Sequence, residues 1–243
     1  MSKNYHQTIR TRLKIGDTIC DRFQIVDYLG SGWQSDVFLV TEIVTGIDRT
    51  AKVFHPKRNF NNKVAISHAK KLHRTRFSSS LVQYLFQEVI NIDNERMTCL
   101  ISEYIQGEVL EVYLNRQKQL PVFEALHIVK SIAEGLSPLH SIGEYHGDLH
   151  SANIIINRVG LNYNIKLLDP FDWKDGKKLN IQKDVIDLIR ILYDLCGGRN
   201  SYNKLPREIK SICCGLKHSL IVKKFPTSTA LLAYLNRFEW SNK

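Results

Sequence analysis

Apolar and polar positions alternate with the two-residue period of strands through much of the first hundred residues. A β-rich run from Phe23 to Leu29 stops at Gly30-Ser31-Gly32, and the pattern resumes from Asp36 to Val44 with Val37, Phe38, Val40 and Ile43 apolar. Thr45-Gly46 supplies a turn, and Arg49 to Phe54 reads as a third strand. Phe60 to Arg76 predicts a helix of weak periodicity. Leu81 to Ile92 and Met97 to Tyr104 then return to strand character across the polar turn Asp93-Asn94-Glu95. After Gly107 the period lengthens. Pro121 suits a first helical position, and Phe123, Leu126, Ile128, Val129, Ile132, Ala133, Leu136 and Leu139 recur at helical spacing until Gly143. Short strands are expected near Ile154 to Ile156 and Ile165 to Leu168. Helices are expected over Ile181 to Leu195 and near Pro206 to Lys217 and Thr227 to Phe238. The pattern predicts an α+β chain: a strand-rich part of about a hundred residues, then a helical part, as two lobes with a cleft where ligands often bind.

At 243 residues the chain is long enough for one domain with two lobes. Its 43% hydrophobic and 24% charged residues exclude a disordered or fibrous protein. The balance of 34 Lys+Arg against 24 Asp+Glu leaves +10. That excess favours a phosphate-bearing or acidic partner, and serves equally well for solubility alone. Cys20, Cys99, Cys196, Cys213 and Cys214 are odd in number and contain no C-x-x-C, so neither a disulfide framework nor a metal spacing is visible. Met1 to Lys14 is polar and basic without an apolar core, and no apolar run reaches bilayer length, so a cytoplasmic chain with no transmembrane segment is expected.

Three segments carry chemistry. Leu29-Gly30-Ser31-Gly32-Trp33-Gln34-Ser35-Asp36-Val37-Phe38 is a glycine turn between strands, where backbone N–H groups can approach phosphates; an ordinary β-turn accounts for two glycines just as well. A strand follows this turn where a dinucleotide fold needs a helix, which argues against that fold. Thr50-Ala51-Lys52-Val53-Phe54 places a lysine in an apolar strand, a pattern that surface lysines also produce. The strongest signal is His146-Gly147-Asp148-Leu149-His150-Ser151-Ala152-Asn153, with Lys166-Leu167-Leu168-Asp169-Pro170-Phe171 closing the next strand. One carboxylate there can orient a hydroxyl, and an Asn with a second carboxylate can hold Mg²⁺ against phosphate oxygens. Asx caps explain Asp148 and Asn153 singly and a turn explains Asp169, but not all three in this order.

From about Ile15 to Phe238 the sequence resembles the eukaryotic-type protein kinase superfamily, and its N-terminal strands look much like bacterial members. The glycine-rich loop falls on Gly30, Gly32 and Val37, and the strand lysine on Lys52, after Ala51. The hinge resembles Ser102-Glu103-Tyr104-Ile105. The catalytic loop falls on His146 to Asn153, the D-F-G aspartate on Asp169, and the buried helical aspartate that steadies the catalytic loop on Asp184. The resemblance implies a bilobal kinase-like fold, with residues 1–104 as N-lobe behind a short basic arm and 105–243 as helical C-lobe. It further implies that backbone of Glu103 and Ile105 binds adenine, that Val37, Ala51 and Ile155 sandwich its ring, and that Lys52 holds the α/β-phosphates. Asn153 and Asp169 ligate magnesium, and Asp148 orients the acceptor hydroxyl and takes its proton. ATP and Mg²⁺ are the cofactors implied.

Departures from the family pattern are as informative. No Asp or Glu occurs between Phe54 and Gln87, so the helical glutamate that pairs with Lys52 is missing; Asp169 or Glu88 is the substitute expected, or else the nucleotide itself positions Lys52. The catalytic-loop arginine is Gly147, the activation segment is almost absent, and no A-P-E occurs. That joint loss predicts no control by activation-loop phosphorylation. D-F-G reads Asp169-Pro170-Phe171, with Phe171 expected to fill the space of the missing Phe. His150 makes the loop similar to aminoglycoside and choline phosphotransferases. The basic run Lys57, Arg58, Lys63, Lys70, Lys71, Arg74 and Arg76, with His55, His68 and His73, reads as a solvated helix face or as a contact for an acidic partner; no nucleic-acid motif accompanies it. Cys213-Cys214 is expected to pack within a helix. The function expected is ATP- and Mg-dependent transfer to a protein Ser or Thr. Two alternatives stand beside it: a small-molecule or glycan kinase, and a pseudokinase binding module.

Overall fold

The computed structural model describes residues 11–92, 94–160 and 162–240. The N-terminal arm before Thr11 and the turn residue Asp93 lie outside them. Contacts divide the chain into two compact units: Met1–Arg74 with Gln83–Tyr104, and Thr75–Val82 with Ile105–Lys243.

The first unit is a six-stranded antiparallel sheet of β1 (Thr18–Ile19), β2 (Phe23–Ser31), β3 (Ser35–Glu42), β4 (Asp48–Phe54), β5 (Tyr84–Ile92) and β6 (Glu95–Glu103), in the order β1-β2-β3-β4-β6-β5. The expected strand over Asp36 to Val44 ends at Glu42, because Ile43 and Val44 are exposed turn residues. Alternation sorts side chains onto two faces. Phe23, Ile25, Phe38, Val40, Ala51, Val53, Cys99 and Ile101 form one core. On the other face, Phe54 and Leu100 pack against Ala65 of helix α1 (Lys63–Thr75). Phe60–Asn62 is only a tight 3-10 turn leading into α1, so the helix starts later than its sequence pattern predicts.

The second unit is mostly helical. It holds β7 (Glu108–Val109), α2 (Leu110–Gln117), α3 (Val122–Ser141), β8 (Ile154–Val159), β9 (Asn162–Leu167), α4 (Lys177–Leu195), α5 (Gly198–Ser201), α6 (Arg207–Cys213), α7 (His218–Lys224) and α8 (Ser228–Asn236). Ile128, Ile132 and Leu136 of α3 meet Leu188 and Leu192 of α4 in its core. The β7-β8-β9 sheet lies on the same core through Ile154 and Leu167.

Leu81 and Val82, expected in a strand with Tyr84, belong instead to this second unit. Leu81 bridges in parallel to Leu167, and the Val82 N–H donates to the Leu167 carbonyl at 3.2 Å. Gly135 of α3 permits this path, since a Cβ there would lie 2.5 Å from Ser80. Cys213 is buried in α6 as expected, but Cys214 has left-handed backbone and ends that helix. All five cysteines are free. Among the described residues no helix is long and apolar enough to cross a membrane.

Candidate active site

In the first unit, the glycine turn connects β2 to β3. Gly30 pairs with Val37, Val37 pairs with Lys52, and Lys52 pairs with Leu100, so Val37 and Lys52 share a face. The Lys52 ammonium lies 5.7 Å from the Phe54 ring centroid. Ala51 departs from its expected role. It pairs with Phe38 and Ile101, is fully buried in the core of the opposite face, and therefore cannot line a surface with Lys52; Thr50 is the neighbour that shares the Lys52 face.

The same register removes Glu88 as the partner of Lys52. Glu88 stands opposite Cys99, which stands opposite Val53, on the face away from Lys52. The basic run is mostly solvated, as one of its two readings expects: Lys57, Arg58, Lys63, Lys70, Arg74 and Arg76 are exposed, while Lys71 and His55 are buried. At the end of β6, the Glu103 N–H donates to the Gln83 carbonyl at 3.0 Å, and the Glu103 carboxylate accepts from the Gln83 N–H at 2.9 Å. Ile105 begins the next segment, within the second unit.

The glycine turn closes on itself through the Gly32 N–H and the Ser35 carbonyl, 2.9 Å apart. The residues after β4 hold it from outside. The His55 N–H donates to the Gln34 carbonyl at 2.9 Å, and Arg58 lies 3.5 Å over the exposed Trp33 ring. The fully buried Asp36 accepts the Thr11 N–H at 2.5 Å and sits 3.4 Å from His55 Nε2. Asp36 Oδ1 and His55 Nε2 make no hydrogen bond among the described residues.

In the second unit, Asp184 on α4 organises the catalytic loop. Fully buried, it accepts from the His146 N–H at 2.6 Å, the Gly147 N–H at 2.8 Å and His140 Nε2 at 3.1 Å. His140 is a partner that periodicity hides, because it stands at the end of the apolar stripe of α3 and reads as core. Its Nδ1 accepts from the Ser228 N–H at 3.1 Å, so Nε2 carries the hydrogen donated to Asp184. His146 points Nε2 at the Leu168 carbonyl, 2.8 Å away, and accepts the Asp148 N–H on Nδ1 at 3.3 Å. Those partners require the neutral ring, and burial lowers its pKa in the same direction.

Asp148 follows, half-buried. Asn153 donates Nδ2 to its backbone carbonyl at 2.9 Å and to its carboxylate at 3.3 Å. His150 Nε2 stands 3.7 Å from the carboxylate. That contact holds the Asp148 carboxyl below its usual pKa and lifts that of His150. With Nδ2 spent on Asp148, Asn153 has Oδ1 left to offer a cation. Asp169 adds a carboxylate from a left-handed backbone, φ 53°, that Asp tolerates better than most residues. Two hard oxygen donors of this kind fit magnesium. Ile155, in β8 between Val109 and Lys166, is half-buried.

The segment after Asp169 corrects one expectation. Pro170 is the buried residue and Phe171 is 37% exposed, so Phe171 does not take the place of a buried D-F-G phenylalanine. It turns outward, with its ring edge-on to Trp173 at 4.8 Å.

The sequence profile of the protein kinase domain matches residues 23–176. The chain is 25% identical over 153 residues to a probable serine/threonine-protein kinase PknB of Lactococcus lactis, covering 61% of this chain and 23% of that protein. It is 24% identical over 159 residues to the serine/threonine-protein kinase PrkC of Bacillus subtilis, covering 64% of this chain and again 23% of the relative. The chain therefore spans about a quarter of the length of these relatives. The solved kinase domain of Mycobacterium tuberculosis PknI (C20A mutant) has the same fold, with a TM-score of 0.67 at 16% identity, over 93% of this chain and 98% of that one. A match over well more than half of the residues shows that the chain belongs to the protein kinase domain family.

Proposed function

We propose that the chain is an ATP- and Mg²⁺-dependent Ser/Thr protein kinase that works without activation-loop control, in the cytoplasm. The observation that carries this reading is the catalytic loop, where Asp148 is oriented by Asn153 and by a backbone anchored on Asp184. The likeness to PknB and PrkC supports a protein acceptor. Residues 1–104 and 105–243 are taken as the two lobes of one kinase domain.

Asp148 would accept the proton of a Ser or Thr hydroxyl and aim its oxygen for in-line attack. The lowered pKa of Asp148 keeps it ionised for that task. Lys52 would neutralise phosphate oxygens, and the backbone of Gly30 and Gly32 would lie along them. Val37 and Ile155 would border the adenine, and backbone of Glu103 and Ile105 would hydrogen-bond it. Asn153 and Asp169 would hold magnesium, which supplies charge neutralisation to the phosphates when bound. His146 and Asp184 act behind the site as structural support. An acidic partner is proposed for the exposed cations Lys57, Lys63 and Lys70, whose contact would weaken with salt.

The test is transfer of labelled phosphate from ATP and Mg²⁺ to generic Ser/Thr protein substrates, run beside sugars and aminoglycosides. Asp148→Ala should abolish transfer while nucleotide still binds. Turnover on the small acceptors alone would overturn the protein kinase reading, and binding of ATP and magnesium without any transfer would favour a binding module.

A further inference from the structure

Two peptide planes precede Asp148, and each is held at both edges. In the plane joining His146 to Gly147, the Gly147 N–H donates to Asp184 at 2.8 Å and the His146 carbonyl accepts the Phe171 N–H at 2.8 Å. In the plane joining Gly147 to Asp148, the Asp148 N–H donates to His146 Nδ1 at 3.3 Å and the Gly147 carbonyl accepts the Trp173 indole N–H at 2.6 Å. One bond of each pair thus comes from the short stretch between Asp169 and α4. That stretch is fixed in turn by the Phe171–Trp173 ring contact at 4.8 Å and by the Tyr145 hydroxyl, which donates to the Trp173 carbonyl at 3.3 Å.

Gly147 makes the approach feasible. Its φ is +90°, and a Cβ there would stand 2.3 Å from the Phe171 carbonyl oxygen. Independently, the sequence from Pro170 to Lys183 holds no Ser, Thr or Tyr, so nothing in that stretch can accept a phosphate.

We infer that Trp173 is a positioning residue for the catalytic loop: its indole N–H fixes the peptide plane that carries Asp148, so that the loop is set permanently by an unmodified side chain. This deepens the kinase reading and rests on it for its catalytic consequence, though not for its structural one. A carboxylate that must meet a hydroxyl at hydrogen-bond range loses rate steeply when its backbone turns. Trp173 does not itself touch the reacting atoms.

Trp173→Phe keeps an aromatic ring next to Phe171 while deleting the indole donor along with the fused ring that carries it. In the full chain its kcat should fall about tenfold with the KM for ATP unchanged. Amide hydrogen exchange in the nucleotide-free chain supplies a readout that needs no activity. The Gly147 and Asp148 amides should exchange about tenfold faster in Trp173→Phe, with the amides of Ile128–Leu139 in α3 unchanged. Unchanged exchange at residues 147–148 would overturn the inference, and so would a uniform rise across the whole unit, which reports general destabilisation. Wild-type activity should also survive phosphatase treatment; its loss would show that a phosphate, rather than Trp173, sets the loop. If wild type transfers phosphate to no acceptor, the kinase reading fails, and the exchange result still decides the role of Trp173.

Discussion

The glycine turn of the first unit and the catalytic loop of the second are short loops of similar length held in opposite ways. Among the described residues, the fastenings around the glycine turn are few and incomplete. Trp33 is 59% exposed under Arg58, and the buried atoms Asp36 Oδ1 and His55 Nε2 face each other at 3.4 Å without a hydrogen bond. Around the catalytic loop the two peptide planes before Asp148 are satisfied on both edges, and the anchoring carboxylate takes three donors. The difference follows the chemistry each loop is proposed to do. A turn that lies over phosphates gains from yielding as they arrive, whereas a carboxylate that aims a hydroxyl gains only from staying still.

Removing the central anchor should break the comparison most severely. Asp184→Ala leaves buried donors on His140, His146 and Gly147 unpaired and should cost about 3–5 kcal/mol in denaturant unfolding, with loss of all transfer. A cost near that of an ordinary surface substitution would mean that the catalytic loop is no better fixed than the glycine turn. On the looser side, His55→Phe removes the imidazole that stands 3.4 Å from the buried Asp36 carboxylate and should cost about 1–2 kcal/mol by the same measurement. Arg58→Ala removes only the contact with Trp33 and should cost about 0.5–1 kcal/mol, accompanied by faster amide exchange over residues 30–35.

The smallest effect expected is one of pH. The raised pKa of His150 means its contribution is whole below its ordinary value of 6.5 and fades as pH rises through the raised one. The lowered pKa of Asp148 means its share is whole above 3.8 and fades as pH falls through the lowered one. Their contact is therefore strongest between those two values. Both side chains are half-exposed, so only about 0.3 kcal/mol should separate wild type from His150→Ala there, and salt should erase it. A pH-independent difference between the two would assign the contact to packing instead of charge.

How much of this was legible beforehand depended on the range of the interaction. The strands from Phe23 to Phe54 and the helices α3 and α4 follow from periodicity, because each buries one regular face. Helix α2 was not anticipated: it buries only Leu110, and no side chain caps its start at Val109. Helix α7, seven residues with one buried side chain, hides for the same reason. Asp148, Asn153, Asp169 and Asp184 were visible as motif residues. Yet Ala51 was misplaced: it adjoins Lys52 within one strand, so alternation alone already turns it to the opposite face, and the register shows that this face is the core of Phe38 and Ile101. Trp173 was invisible because its bond to Gly147 joins residues 26 positions apart and belongs to no local pattern.

Gly147 also limits how the chain could be re-engineered. The residue that the family resemblance expects there is an arginine, and any side chain at all would drive its Cβ into the carbonyl of Phe171. The segment that leans on the loop and the glycine that admits it are mutually dependent. Gly147→Arg alone would dislodge the present brace, and no Ser, Thr or Tyr between Pro170 and Lys183 could carry a phosphate to meet the new guanidinium. Any redesign that installs a side chain at this position must therefore also move Phe171, so the loop and the segment that braces it can be altered only together.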